Sequence, residues 1–132
     1  MNQEEKAELM EKKPLSKSEV FVMKCIWDLG RALTPNEIRI RLQEVYQKRY
    51  AYPTINTYLK NIMMKGYVSQ NRDNYSFRYE ALVTEEEYRT HEINEMKKLW
   101  TGGSAKKMAA LVLEPECLSE DEKQLLRRLL NE

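Results

Sequence analysis

Tyr52-Pro53-Thr54-Ile55-Asn56-Thr57-Tyr58-Leu59-Lys60-Asn61-Ile62-Met63-Met64-Lys65-Gly66, followed at once by Tyr67-Val68-Ser69-Gln70-Asn71-Arg72, is the stretch that decides the fold. Pro53 suits the first turn of a helix, where its missing N–H costs nothing and its fixed φ is already helical. Ile55, Leu59, Ile62 and Met63 recur at three-and-four spacing, which puts them on one helical face. Lys65-Gly66 stops the helix. Beyond the glycine the period changes: Tyr67–Arg72 and Phe77–Val83 read as two short strands around an Asp73-Asn74 turn.

Two more helices precede this one. Ser16-Lys17-Ser18-Glu19 has the form of a capping box, and Val22, Met23, Ile26 and Trp27 follow on one face until Gly30. Thr34-Pro35 is a second start, with Ile38, Leu42 and Val45 carrying the helix to about Tyr46. Three short helices and a hairpin within residues 14–83 describe a winged helix-turn-helix, mainly α with a small β-hairpin wing. Residues 1–13 are polar, lack apolar period and read as a flexible tail.

Downstream the chain is helical throughout. Thr84-Glu85-Glu86-Glu87 caps a fourth helix marked by Tyr88, Ile93, Met96, Leu99 and Trp100, which ends at Thr101-Gly102-Gly103. Ser104 starts a fifth through Met108, Leu111 and Val112, ending before Pro115. Ser119 caps a sixth, striped by Leu125, Leu126, Leu129 and Leu130. Three short helices over residues 84–132 close a private core poorly. Their stripes, with Leu99, Trp100, Met108, Leu111 and Val112, are expected to bury against a second copy, giving a helical dimerisation domain and a homodimer. The alternative is that they fold back on the winged domain.

Composition narrows the function. The chain has 132 residues, 42% hydrophobic and 33% charged, enough for one or two small domains. No apolar run approaches the ~18 residues of a membrane span, and the polar start Met1-Asn2-Gln3-Glu4-Glu5-Lys6 does not resemble a secretory signal, so a cytoplasmic location is expected. Cys25 and Cys117 belong to no CxxC pair, and His91 is the single histidine. Zinc ribbons, HExxH sites and His-based triads are thereby disfavoured, and four glycines write no phosphate-cradling loop. No enzyme, metal or cofactor is expected.

Charge is distributed unevenly. Residues 1–13 carry three basic and four acidic side chains, residues 14–83 eleven and six, and residues 84–132 eight and eleven. A basic first half joined to an acidic second half suits a polyanion-binding module followed by an interaction module.

With its apolar face inward, the third helix turns Thr54, Asn56, Thr57, Lys60 and Asn61 outward. Asn reads adenine bidentately, Thr reaches a base edge or a thymine methyl, and Lys reaches guanine or phosphate. Lys48 and Arg49 precede the helix, and Arg72 and Arg78 lie on the expected wing, where they can grip the DNA backbone on either side.

The run Leu15 to Glu19, Met23, Ile26-Trp27, Leu33-Thr34, Glu37-Ile38, Ala51 to Leu59 and Lys65 to Val68 resembles the penicillinase repressor family (BlaI/MecI type, including CopY). The resemblance continues through Tyr79, Glu86-Glu87-Tyr88, Gly102-Gly103-Ser104, Leu118-Ser119-Glu120 and Leu125 to Leu130, spanning about residues 14–131. It implies a homodimeric bacterial repressor with a winged helix followed by a helical dimerisation domain, bound to palindromic double-stranded operators of TACA/TGTA half-sites. It also assigns base and phosphate reading to Thr54, Asn56, Thr57 and Lys60. β-Lactam-responsive members are cut at an Asn-Phe bond, whose position falls on Leu111-Val112 here. Copper-responsive members carry a carboxy-terminal cysteine motif, where this chain has only Cys117.

Other residues have plainer readings. Cys25 is expected in the core, His91 facing solvent, and Glu85-Glu86-Glu87 complementing a helix dipole. Tyr46, Tyr50, Tyr52 and Tyr58 are expected to pack in core and hinge. The rival to the repressor is a winged helix whose polar face docks a protein. A small enzyme would need a catalytic pair, and no spacing offers one.

Overall fold

The computed structural model describes residues 4, 12–73, 75–114 and 116–131. Most of the expected 1–13 tail, Asn74 of the expected turn and Pro115 lie outside the described residues. The chain forms two compact units, Met1–Arg89 and Thr90–Glu132.

The first unit holds three helices, α1 (Lys17–Leu29), α2 (Pro35–Tyr46) and α3 (Tyr52–Met64), then strands β1 (Val68–Arg72) and β2 (Phe77–Ala81). It also takes in the first turn of α4 (Glu85–Thr101). This is a winged helix-turn-helix, and the molecule is mainly helical. The expected Ser16–Glu19 capping box is formed, and Thr34, expected as an N-cap, forms a second box with Glu37. Each satisfies two amides that the start of a helix leaves without intrahelical partners. Gly30 ends α1 in the left-handed region at φ 64°, which a side chain rarely adopts.

Val22, Met23, Ile26, Leu33, Ile38, Leu42, Ile55, Leu59, Ile62, Tyr67 and Val68 form the core, and Cys25 is buried among them. Burial pushes the Cys25 thiol up to about 12, so at neutral pH it packs as a small neutral side chain. Val45 departs from expectation, being 43% exposed. Tyr46 takes the next inward place after Leu42, four residues on. Its ring lies 5.5 Å from Phe21, and its hydroxyl donates to Asp28. Asp28 also meets Arg41 at 3.4 Å, tying α2 to the end of α1, and Lys24 one turn back on α1 at 3.7 Å.

The hairpin pairs Val68 with Ala81 through Arg72 with Phe77. Asp73 shapes its turn, accepting from the Ser76 amide and hydroxyl at 3.2 Å each. Leu33, between α1 and α2, forms an isolated antiparallel bridge with Tyr79 and docks the wing on the helices. At the base of the wing, Trp27 Nε1 donates to the Val83 carbonyl at 2.8 Å. Tyr88 is buried against Trp27 and Tyr67, with ring centroids at 5.6 and 5.8 Å. These contacts hold the first turn of α4 in the winged unit, beyond the 83/84 boundary expected from sequence. The end of the tail is held as well, since Tyr67 donates its hydroxyl to the Lys13 carbonyl at 2.8 Å.

The second unit comprises the rest of α4 with α5 (Ala105–Val112) and α6 (Glu120–Leu130). Ser104 caps α5, and Ser119 with Glu122 forms a third capping box at α6. Among the described residues of this unit no apolar side chain is fully buried, and the buried residue is Lys123. Leu99 and Trp100 are 74% and 70% exposed, and Leu129 and Leu130 are 58% and 69% exposed. Leu111, Val112 and Leu125 are exposed too, while Met108 and Leu126 are half-buried. His91, expected to face solvent, is half-buried.

Candidate nucleic-acid interface

Helix α3 is inserted by its apolar face. Ile55, Leu59 and Ile62 are wholly buried and Met63 packs against them, so the opposite face stands free. Asn56, Thr57, Lys60 and Asn61 are exposed on it, and Thr54 is half-buried. The Thr57 hydroxyl donates to the Pro53 carbonyl at 3.0 Å. Outward it therefore offers a methyl group and a lone pair, while Asn56 and Asn61 supply donors and acceptors. Ala51 opens the helix without a side-chain acceptor for its first amides, and that turn lacks an acidic residue. An anion approaching the positive end of the helix dipole meets no competing carboxylate there.

Ion pairing sorts the surrounding cations. Lys24, Arg31, Arg41, Lys65 and Arg78 are each paired with a carboxylate. Lys48, Arg49, Lys60 and Arg72, all expected at the interface, pair with no carboxylate among the described residues. Lys48 lies 5.0 Å over the Phe21 ring and Arg72 5.5 Å over Phe77, so aromatic faces steady both without neutralising them. Arg78 differs: it donates to Asp73 at 2.8 Å and to Glu37 at 3.2 Å.

Two residues missed by sequence reasoning join this surface. Lys17 is exposed in the first turn of α1 and pairs with no described carboxylate. Ser18 beside it lies 3.2 Å from the Tyr50 hydroxyl, which brings that turn against the loop leading into α3. Tyr75 is 96% exposed at the tip of the wing. Neither carries a periodic signal, because each becomes visible only once the loop and hairpin are folded. Tyr50 and Tyr58 pack edge to face with centroids at 5.3 Å, whereas Tyr52 is 45% exposed.

The back of the site is fixed by charge. Lys65 Nζ lies 2.6 Å from Glu19 and 3.1 Å from the Pro14 carbonyl, joining the end of α3 to the start of α1. Burial works against the charge on Glu19, but Lys65 and the Ser16 amide hold its carboxyl below the usual range. Among the described residues no His, Cys, Asp and Glu group forms a metal-binding cluster, and no helix is long and apolar enough to cross a membrane.

The penicillinase repressor family model matches residues 15–132, nearly the whole chain. The chain belongs to the penicillinase repressor family. The methicillin resistance regulatory protein MecI of Staphylococcus aureus is 34% identical over 119 residues, covering 89% of this chain and 93% of that protein. Among solved structures, the monomeric form of Bacillus licheniformis BlaI with the blaP half-operator is 26% identical, covering 59% of this chain and 92% of that one at a TM-score of 0.48. The complex structure of hsRosR-SG is similar in fold, at a TM-score of 0.51 and 12% identity, covering 90% of this chain and 91% of the other. This penicillinase repressor relative is a regulator of transcription and not an enzyme.

Proposed function

We propose that the protein represses transcription as a homodimer on a palindromic operator built of TACA/TGTA-like half-sites, with α3 in the major groove. The observation that carries this reading is the exposed Asn56, Thr57, Lys60 and Asn61 face, backed by buried Ile55, Leu59 and Ile62 and flanked by cations that pair with no carboxylate among the described residues. Thr54 adds to it at the helix start. Asn56 and Thr57 read base edges, while Lys48, Arg49, Lys60 and Arg72 contact phosphate or guanine. Lys17 extends the phosphate-binding flank. Two such helices enter successive major grooves about 34–36 Å apart.

The homodimer rests on the second unit. Its exposed Leu99, Trp100, Leu111, Val112, Leu125, Leu129 and Leu130, with half-buried Met108 and Leu126, supply apolar area that a lone chain leaves in water. A second copy covers the same patch by two-fold symmetry. The boundary between reading head and dimer unit falls within α4.

The test is competition between a TACA/TGTA palindrome and a scrambled duplex of equal length. A preference of roughly a thousandfold or more supports specific reading. Equal affinity for both duplexes contradicts it. Binding that is also indifferent to salt would favour the protein-docking alternative, because phosphate contacts release counterions.

A further inference from the structure

Arg78 stands apart from the other cations expected at the interface. Arg72, Lys48, Arg49 and Lys60 meet no carboxylate among the described residues, but Arg78 meets two. Its Nε lies 2.8 Å from Asp73 Oδ2, at the turn of its own hairpin. Its Nη1 lies 3.2 Å from Glu37 Oε1, in the first turn of α2. Glu37 is itself engaged from the other side, with Arg31 Nη2 2.7 Å from Oε2. Next to Arg78 in sequence, Tyr79 exchanges two backbone hydrogen bonds with Leu33, at 2.8 and 3.0 Å. Beside its core contacts through Val68 and Tyr79, the wing therefore meets the helix-turn-helix through a backbone bridge and a charged bridge, side by side.

We propose that Arg78 is a positioning residue, which fixes the wing against the first turn of α2 through Glu37 and thereby sets where Arg72 and the wing tip meet DNA. This rests on the DNA-reading function above and deepens it: the guanidinium expected to grip phosphate instead orients the hairpin that does. The planar guanidinium addresses two carboxylates at once, whereas a lysine ammonium is a point charge that does not reproduce the geometry. Glu37 meanwhile keeps its role in the Thr34 capping box, which glutamine also fills.

The experiment compares wild type, Arg78→Ala, Arg78→Lys, Glu37→Gln and the Arg78→Ala/Glu37→Gln double variant in the full chain. It measures operator affinity, thermal unfolding, and amide exchange at Leu33 and Tyr79. Each single substitution should weaken operator binding about five- to tenfold, and the double variant should be no weaker than Arg78→Ala, as expected for two residues acting through one contact. Exchange at Leu33 and Tyr79 should quicken in Arg78→Ala and Glu37→Gln. Glu37→Gln removes a negative charge, so a simple phosphate contact by Arg78 makes the opposite forecast: unchanged or tighter binding. That result would overturn the proposal, as would wild-type affinity in Arg78→Lys or unchanged exchange at Leu33 and Tyr79. The exchange measurement needs no DNA. A wild type without operator preference therefore counts against the DNA reading, while the exchange rates still report on the wing contact.

Discussion

Asn56 and Thr57 lie side by side on the exposed face of α3, and their chemistry differs from that of Lys60 one turn further on. Asn56→Ala and Thr57→Ala should each weaken operator binding by about 1–3 kcal/mol and leave binding to random DNA nearly unchanged. Equal losses on both duplexes would contradict base reading. Lys60→Ala should instead weaken binding to every sequence and, with one Lys60 lost from each protomer, reduce the salt slope by about two units, measured by titration at several salt concentrations. The outward placement of these side chains was legible from the spacing of Ile55, Leu59 and Ile62 alone. The engagement of Arg78 was not, since its partner Glu37 lies 41 residues away and no local pattern links them.

Glu37 also makes a prediction in pH. The Arg31 guanidinium, followed by the Thr34 amide, draws its carboxyl from the ordinary 4.5 down to about 2. A carboxylate whose folded value is depressed stabilises the native state above its unfolded value, and that contribution is lost as pH falls through the folded one. Wild type should therefore lose stability more steeply than Glu37→Gln between pH 4.5 and 2. Chemical denaturation across that window measures the difference, and parallel curves would contradict the assignment.

At the scale of elements, helices with explicit caps and an apolar stripe were the most readable parts. Ser16-Glu19, Thr34-Glu37 and Ser119-Glu122 all form the reciprocal boxes their spacing describes. The Leu33–Tyr79 bridge is different in kind, because a single paired residue between two helices has no periodicity to betray it. Val45 was misplaced for a related reason: it and Tyr46 both fit the inward stripe at the end of α2, and the Phe21 and Asp28 contacts select Tyr46. Leu59 is wholly buried where α3 packs on its neighbours, so Leu59→Ala should cost about 2–5 kcal/mol by denaturant unfolding. A loss under 1 kcal/mol would mean that the helix is not seated as described.

For the whole molecule, the contrast between the two units governs behaviour. The winged unit closes its own core, whereas the unit beyond Arg89 leaves Leu99, Leu111, Leu125, Leu129 and Leu130 uncovered. The length of α4 and its stop at Gly102-Gly103 were readable from sequence. The extent of the winged unit was not, because Tyr88 is drawn into it by Trp27 and Tyr67 across long stretches of chain. Leu125→Asp with Leu129→Asp should yield monomers in sedimentation and weaken operator binding at least a hundredfold, since each head then binds without its tethered partner. The winged unit should still melt cooperatively.

The most direct test of a dimer reading a palindrome is a titration of the palindromic duplex at several salt concentrations, with the mass of the complex measured in the same samples. The account predicts two protomers per duplex. With Lys17, Lys48, Arg49, Lys60 and Arg72 from each protomer on phosphate, it also predicts a slope of log affinity against log salt of about −9. One protomer per duplex at saturation, or a slope near zero, would contradict it.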